Sequence, residues 1–166
     1  MVPTTELLLY EAARAQHVGE VIKPFLEGEG VVLCDRFTDA SLAYQGHGRR
    51  IDLKWIQRLN HFSSQGIRPD VTFLLDCPSD VGLKRAIQRN RMLKQEKEER
   101  FEREEIQFHR RVRKGYLAIA RKEPGRVKVI DTRQGEERVF EKIRKIVDNL
   151  LIGTKGSRGL GFKQKH

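Results

Sequence analysis

Val31-Val32-Leu33-Cys34-Asp35-Arg36-Phe37, continued by Thr38-Asp39-Ala40-Ser41-Leu42-Ala43-Tyr44-Gln45-Gly46, is the stretch on which the fold turns. Four buried-type residues ending in an acid predict a parallel strand. Its carboxyl end lifts Asp35 and Arg36 to the edge where open α/β sheets hold their ligands. Two further apolar runs end the same way, Asp70 to Asp76 and Val127 to Asp131. Helical spacing fills the intervals. Leu8, Ala12, Ala15, Val18, Ile22 and Leu26 predict a helix from Thr5 to Glu27, bent near its end by Pro24. Beyond Asp35 the sequence predicts a loop, a short helix through Tyr44, and a glycine turn at Gly46 and Gly48. Further helices are predicted over Ile51 to Phe62, from the Ser79 N-cap toward Arg91, over Glu104 to Arg121 and over Glu136 to Leu151. Strands apolar on both faces and separated by helices imply an α/β fold, a parallel sheet with flanking helices.

The chain of 166 residues reads as one domain over 1–152, followed by a basic, glycine-rich tail over 153–166 whose composition predicts disorder. No apolar run reaches membrane-spanning length, and Met1 to Glu6 lacks the basic and apolar regions of a signal peptide, so a cytoplasmic protein with no membrane partner is expected. Cys34 and Cys77 each close an apolar run. They are expected as reduced, buried thiols, because a metal site needs more ligands at shorter spacing. The formal charge of +10 is patterned, concentrated between Lys84 and Lys128 and again from Lys155 to Lys165. Without zinc-finger spacing or an aromatic RNA-binding motif, a small polyphosphate held by a few arginines fits this pattern better than nucleic acid.

Several motifs in order give the chain a family likeness. They are Thr5-Glu6-Leu7-Leu8-Leu9-Tyr10 with Arg14; Asp35-Arg36-Phe37 with Ser41 and Ala43-Tyr44-Gln45-Gly46; Pro69-Asp70-Val71-Thr72-Phe73-Leu74-Leu75-Asp76; Arg100-Phe101-Glu102; and Phe108-His109 with Val112-Arg113 and Gly115-Tyr116-Leu117. Together they resemble the thymidylate kinase family, P-loop enzymes that phosphorylate dTMP to dTDP with ATP and Mg2+. The resemblance covers Thr5 to about Leu151.

The resemblance implies that Tyr10 stacks on thymine and that Arg14, one helical turn away, donates to the base's carbonyl edge. It places Ser41, Tyr44 and Gln45 around base and sugar. Arg36 would hold the acceptor phosphate and absorb charge as the phosphoryl group moves. Asp35 would either orient a magnesium-bound water or fix Arg36; no residue is expected to bind the metal directly. Arg85, Arg89, Arg91 and Arg100 surround a charged segment that the resemblance implies is a lid over ATP, with Arg85 a candidate for the adenine and Arg100 the leading candidate for the transferring phosphate. His109 is expected to pack rather than react. A homodimer, formed through the helices flanking the first strand, is implied as well.

One departure stands out. Residues 1–166 contain no G-x-x-x-x-G-K-[ST] run, so the family's P-loop and first two strands are not among them. In the family pattern the first strand lies between the equivalents of Val31–Asp35 and Asp70–Asp76. A recorded start downstream of the true one, a degraded copy, or direct pairing of the flanking strands would each account for this, the first being preferred. The chain as written is expected to bind dTMP weakly and to transfer phosphate hardly at all. A catalytically silent nucleotide-binding remnant and a basic nucleic-acid-binding module are the alternatives.

Overall fold

The computed structural model describes the backbone of residues 1–82 and 99–157, and side chains over 1–82 and 106–151. Pro3 opens α1 (Pro3–His17) in its first turn, where a missing N–H costs nothing. The helix runs through a π-helical stretch, Val18–Ile22, into α2 (Lys23–Glu27). That wide stretch lies directly ahead of Pro24, whose ring would collide with the carbonyl four residues back in a regular α-helix. The predicted bend is thus taken up as a π-turn.

α3 (Thr38–Ser41) widens into a second π-helix, Leu42–Gly48, in place of the predicted glycine turn. Its glycines answer to packing. A Cβ on Gly46 would lie 2.4 Å from Leu53 Cδ2, and one on Gly48 would lie 2.6 Å from Phe108 Cε2. α4 (Leu53–Ser63) follows, its N-cap Asp52 accepting a 2.8 Å bond from the Lys54 amide. Then come β1 (Thr72–Asp76), α5 (Glu99–Lys122), β2 (Val127–Asp131), a 3-10 turn (Thr132–Gln134) and α6 (Glu136–Ser157). α6 continues past residue 152, the predicted start of the tail; residues 158–166 lie outside the described residues.

β1 and β2 pair in parallel, from Thr72 opposite Val127 to Asp76 opposite Asp131, which brings both terminal acids abreast. Helices α5 and α6 pack against this two-stranded sheet, as an α/β fold requires. The predicted first strand is not observed. Val31–Asp35 joins no ladder among the described residues, and Leu33 is 94% exposed. The flanking strands have not closed up to pair directly. A run apolar on both faces is a strand only while neighbours take its N–H and C=O groups. Cys34 is consequently exposed rather than buried and Cys77 half-buried, both as free thiols.

The core joins Leu7, Val18 and Ile22 of the first helix to Ala43, Ile56, Val112 and Ile130. Its stripe on α1 is rotated by one residue from the predicted one. Leu7 and the polar Glu11 are buried, whereas Leu8 and Ala12 are exposed. Trp55, Phe62 and Phe140 also lie exposed, Phe62 at 82%. The rotation follows from hydrogen bonding, since α1 turns Glu11 and Arg14 toward Asn60 and Ser63 of α4.

Hydrogen exchange checks the unpaired segment. Amides of Val31–Asp35 are expected to exchange orders of magnitude faster than those of Leu74 and Ile130; comparable protection would show that Val31–Asp35 is laddered in solution.

Candidate active site

Glu6, Tyr10 and Arg14 recur at one-turn spacing on α1, and both outer members bond across to the Phe37–Gln45 segment. Arg14 is the hub. Its Nη1 donates to Glu11 Oε2 and Asn60 Oδ1, each at 2.6 Å, and at 3.5 Å to Ser63 Oγ. Its Nη2 donates to Ser41 Oγ at 2.7 Å and to the Phe37 carbonyl at 3.5 Å, while the guanidinium lies 5.5 Å from the Phe37 ring centre. Asn60 Nδ2 donates to the Thr38 carbonyl at 3.1 Å, and Ser63 Oγ to Glu11 Oε2 at 2.5 Å. Glu11 Oε1 is buried with no hydrogen-bond partner in the structure.

At the other end of the stripe, Gln45 Nε2 donates to Glu6 Oε1 at 2.8 Å and Arg49 Nη2 to Glu6 Oε2 at 3.1 Å. An ionised carboxylate only accepts, so the Gln45 amide must turn its nitrogen toward Glu6. Gln45 is buried, at 4% exposure; Tyr10, between the two bonded ends, is 57% exposed. Burial pushes the Glu6 carboxyl up, but the bonds from Gln45 and Arg49 outweigh it and hold its pKa below the ordinary 4.5.

Arg36 has φ +68°, a left-handed conformation that costs a residue with a side chain about 1–3 kcal/mol. Its guanidinium is exposed and lies 4.9 Å from the Tyr44 ring centre. Tyr44 meets Phe108 and Tyr116 edge to face at 6.0 and 6.2 Å. Burial, with Tyr44 beside it, raises the Tyr116 phenol well above the usual range; its hydroxyl also feels Arg36, Asp39 and Asp35. His109 packs edge to face on Phe108 at 5.5 Å, the packing role its sequence context predicts.

A second arginine, Arg126, forks onto Asp39 at 2.7 and 2.8 Å. At the carboxyl end of the sheet, Asp76 accepts a similar fork from Arg113, at 2.7 and 2.8 Å, and Thr132 Oγ1 donates to the Asp76 carbonyl. Among the described residues no three His, Cys, Asp or Glu side chains group as a metal site.

Of the residues singled out from sequence, Arg14 and Ser41 are bonded to each other and Arg36 lies over Tyr44. Gln45 is bonded to the same face of α1. Tyr10 stands exposed on that face, and Asp35 is exposed beside Arg36. Arg85, Arg89 and Arg91 lie outside the described residues; Arg100 falls in the first turn of α5, where only backbone is described. Sequence reasoning missed Glu6 and Glu11 as partners, Asn60, Tyr116, and the Asp39–Arg126 pair. Tyr116 belonged to a quoted motif. The two glutamates, eight and three residues before Arg14, lie within the stretch of the first quoted motif, which marked Tyr10 and Arg14 but not the carboxylates as partners, and Arg126 had no local signal at all.

The sequence model of the family described as "Thymidylate kinase" matches residues 1–143. The thymidylate kinase of Geobacter sulfurreducens is 55% identical over 149 residues, covering 90% of this chain and 70% of that protein. That of Geotalea uraniireducens is 57% identical over 135 residues, covering 81% and 63%. The crystal structure of thymidylate kinase from Ehrlichia chaffeensis superposes with a TM-score of 0.68 at 31% identity, covering 89% of this chain and 66% of that one. The chain thus spans about two thirds of the length of these relatives.

Two outcomes follow from the hub and the Glu6 contacts. Arg14→Ala is expected to cost about 3–5 kcal/mol in urea unfolding, because it leaves Glu11 buried without its counter-charge; Arg14→Met combined with Glu11→Leu should cost less. Glu6 has a depressed folded pKa, so its stabilisation is complete above pH 4.5 and is lost as the pH falls through the folded value. Glu6→Gln should therefore flatten the acid limb of a stability–pH curve.

Proposed function

The chain belongs to the thymidylate kinase family, and we propose that its site holds dTMP for transfer of the ATP γ-phosphoryl group, giving dTDP and ADP. The observation that carries this reading is Arg36, left-handed and exposed over Tyr44, one short segment away from the Arg14–Ser41 bond. A cation fixed in that position suits the acceptor phosphate and the charge that develops on the transferring group. The exposed Tyr10 ring supplies a stacking face for the base. Arg14 reaches the base edge by exchanging its two longest contacts, those at 3.5 Å to Ser63 and the Phe37 carbonyl, and keeps its shorter bonds. Ser41, Tyr44 and Gln45 line base and sugar.

Mg2+ prefers to keep waters and bind through few carboxylates plus substrate phosphates, and the lone exposed Asp35 beside Arg36 fits that habit. Bound with ATP, Mg2+ would supply charge neutralisation on the phosphates. Asp35 meets its water shell or fixes Arg36. By the family resemblance Arg85, Arg89, Arg91 and Arg100 serve ATP, with Arg85 a candidate for the adenine and Arg100 for the transferring phosphate; their side chains lie outside the described residues. Exposed apolar residues on both helical segments flanking Val31–Asp35 support a homodimer: Leu9, Val21 and Phe25 on α1, the π-turn and α2, and Trp55 and Phe62 on α4. No helix among the described residues is long and apolar enough to cross a membrane, which accords with a cytoplasmic enzyme.

Because residues 1–166 carry no glycine-rich phosphate cradle, a second reading applies to them alone, a nucleotide-binding protein that does not turn over. Calorimetry and a coupled ADP-release assay separate the two. dTMP is expected to bind residues 1–166, with Arg36→Ala weakening it by about tenfold or more and turnover far below that of a full-length relative. Failure to bind dTMP would overturn the site assignment; turnover equal to a relative's would overturn the silent reading.

A further inference from the structure

The segment from Phe37 to Ser41 is gripped from two directions. From α1 and α4, Arg14 and Asn60 take the Phe37 carbonyl, the Thr38 carbonyl and Ser41 Oγ. From the sheet, Arg126 and Thr72 take Asp39. Arg126 Nη1 and Nη2 fork onto the Asp39 carboxylate at 2.7 and 2.8 Å, and Thr72 Oγ1 bonds to Asp39 Oδ2 at 3.0 Å. The grip rests on the first rung of the sheet, where the Thr72 amide donates to the Arg126 carbonyl at 3.0 Å. Arg126 Nε is held in turn by Glu123 at 2.7 Å. Arg126 and Asp39 are largely buried, at 13% and 11% side-chain exposure.

Three residues before Asp39 stands Arg36, whose left-handed backbone persists only while its surroundings dictate it. We propose that Arg126 is a positioning residue: through its fork onto Asp39 it holds the Phe37–Ser41 segment so that Arg36 keeps its left-handed backbone and presents its guanidinium to the substrate phosphate. The inference rests on the reading of Arg36 given under Proposed function. Released from the clamp, the segment relaxes, Arg36 returns to negative φ, and its side chain leaves the Tyr44 ring. Arg126 does not act on the phosphate by its own charge, because the carboxylates of Asp39 and Glu123 both bind it and offset it.

Calorimetry of the full chain with dTMP and with thymidine tests this, since thymidine keeps the base and sugar and lacks only the phosphate. Arg36→Ala sets the reference and is expected to lower the dTMP-to-thymidine affinity ratio by about tenfold or more. Arg126→Gln and Asp39→Asn are each expected to lower the same ratio by a similar factor, to leave thymidine affinity near its original value, and to add little when combined with Arg36→Ala. Equal loss for both ligands, or an unchanged ratio, in Asp39→Asn overturns the inference, and that variant carries the test alone if Arg126→Gln does not fold. If Arg36→Ala leaves the ratio unchanged, the phosphate role of Arg36 falls, and this inference falls with it.

Discussion

The buried contact between Arg14 and Glu11 organises the described fold. One guanidinium ties α1 to α4 through Asn60 and Ser63 and to α3 through Ser41 and the Phe37 carbonyl. Burying a carboxylate and a guanidinium costs several kcal/mol per ion, and only dense hydrogen bonding recovers it. That cost explains why α1 rotates its apolar stripe by one residue, turning Glu11 inward and Leu8 outward. The same geometry shapes the candidate site, since the hub's bond from Arg14 to Ser41 holds the segment that carries Arg36 and Tyr44.

The sheet makes the complementary point. β1 and β2 form because each finds the other, in register from Thr72 and Val127 to Asp76 and Asp131. Val31–Asp35 carries as strong an apolar pattern and stays unpaired. Strand propensity describes how side chains fit a pleated surface, so without neighbours it yields extended backbone and no ladder. The segment after Asp35 and Arg36 is nevertheless anchored, at Ser41, Asp39 and the Thr38 carbonyl, by Arg14, Arg126 and Asn60.

The local arrangement of several candidate residues was legible in the sequence. Tyr10 and Arg14 at four-residue spacing, and Arg36, Ser41, Tyr44 and Gln45 in one motif, are neighbours because helices and short segments keep sequence neighbours together. Their partners were not legible. Gly46 and Gly48 read as a turn and prove to be points of close packing against Leu53 and Phe108, contacts made by residues far along the chain in the second case. Arg126 lies 87 residues from Asp39, and no periodicity could join them.

What the sequence by itself determined, then, was the family, the helical segments among the described residues, two acid-terminated strands and the run of chemistry-bearing residue types after Asp35, because each depends on spacing within a turn or a strand; most of the helix predicted from Ser79 toward Arg91 lies outside the described residues. The tertiary structure alone decided which face of α1 is buried, that Val31–Asp35 stands without a ladder among the described residues, and that Arg14 and Arg126 both grip the Phe37–Ser41 segment. These depend on which distant groups satisfy a buried charge or an open backbone, and that matching exists only once the chain has closed on itself.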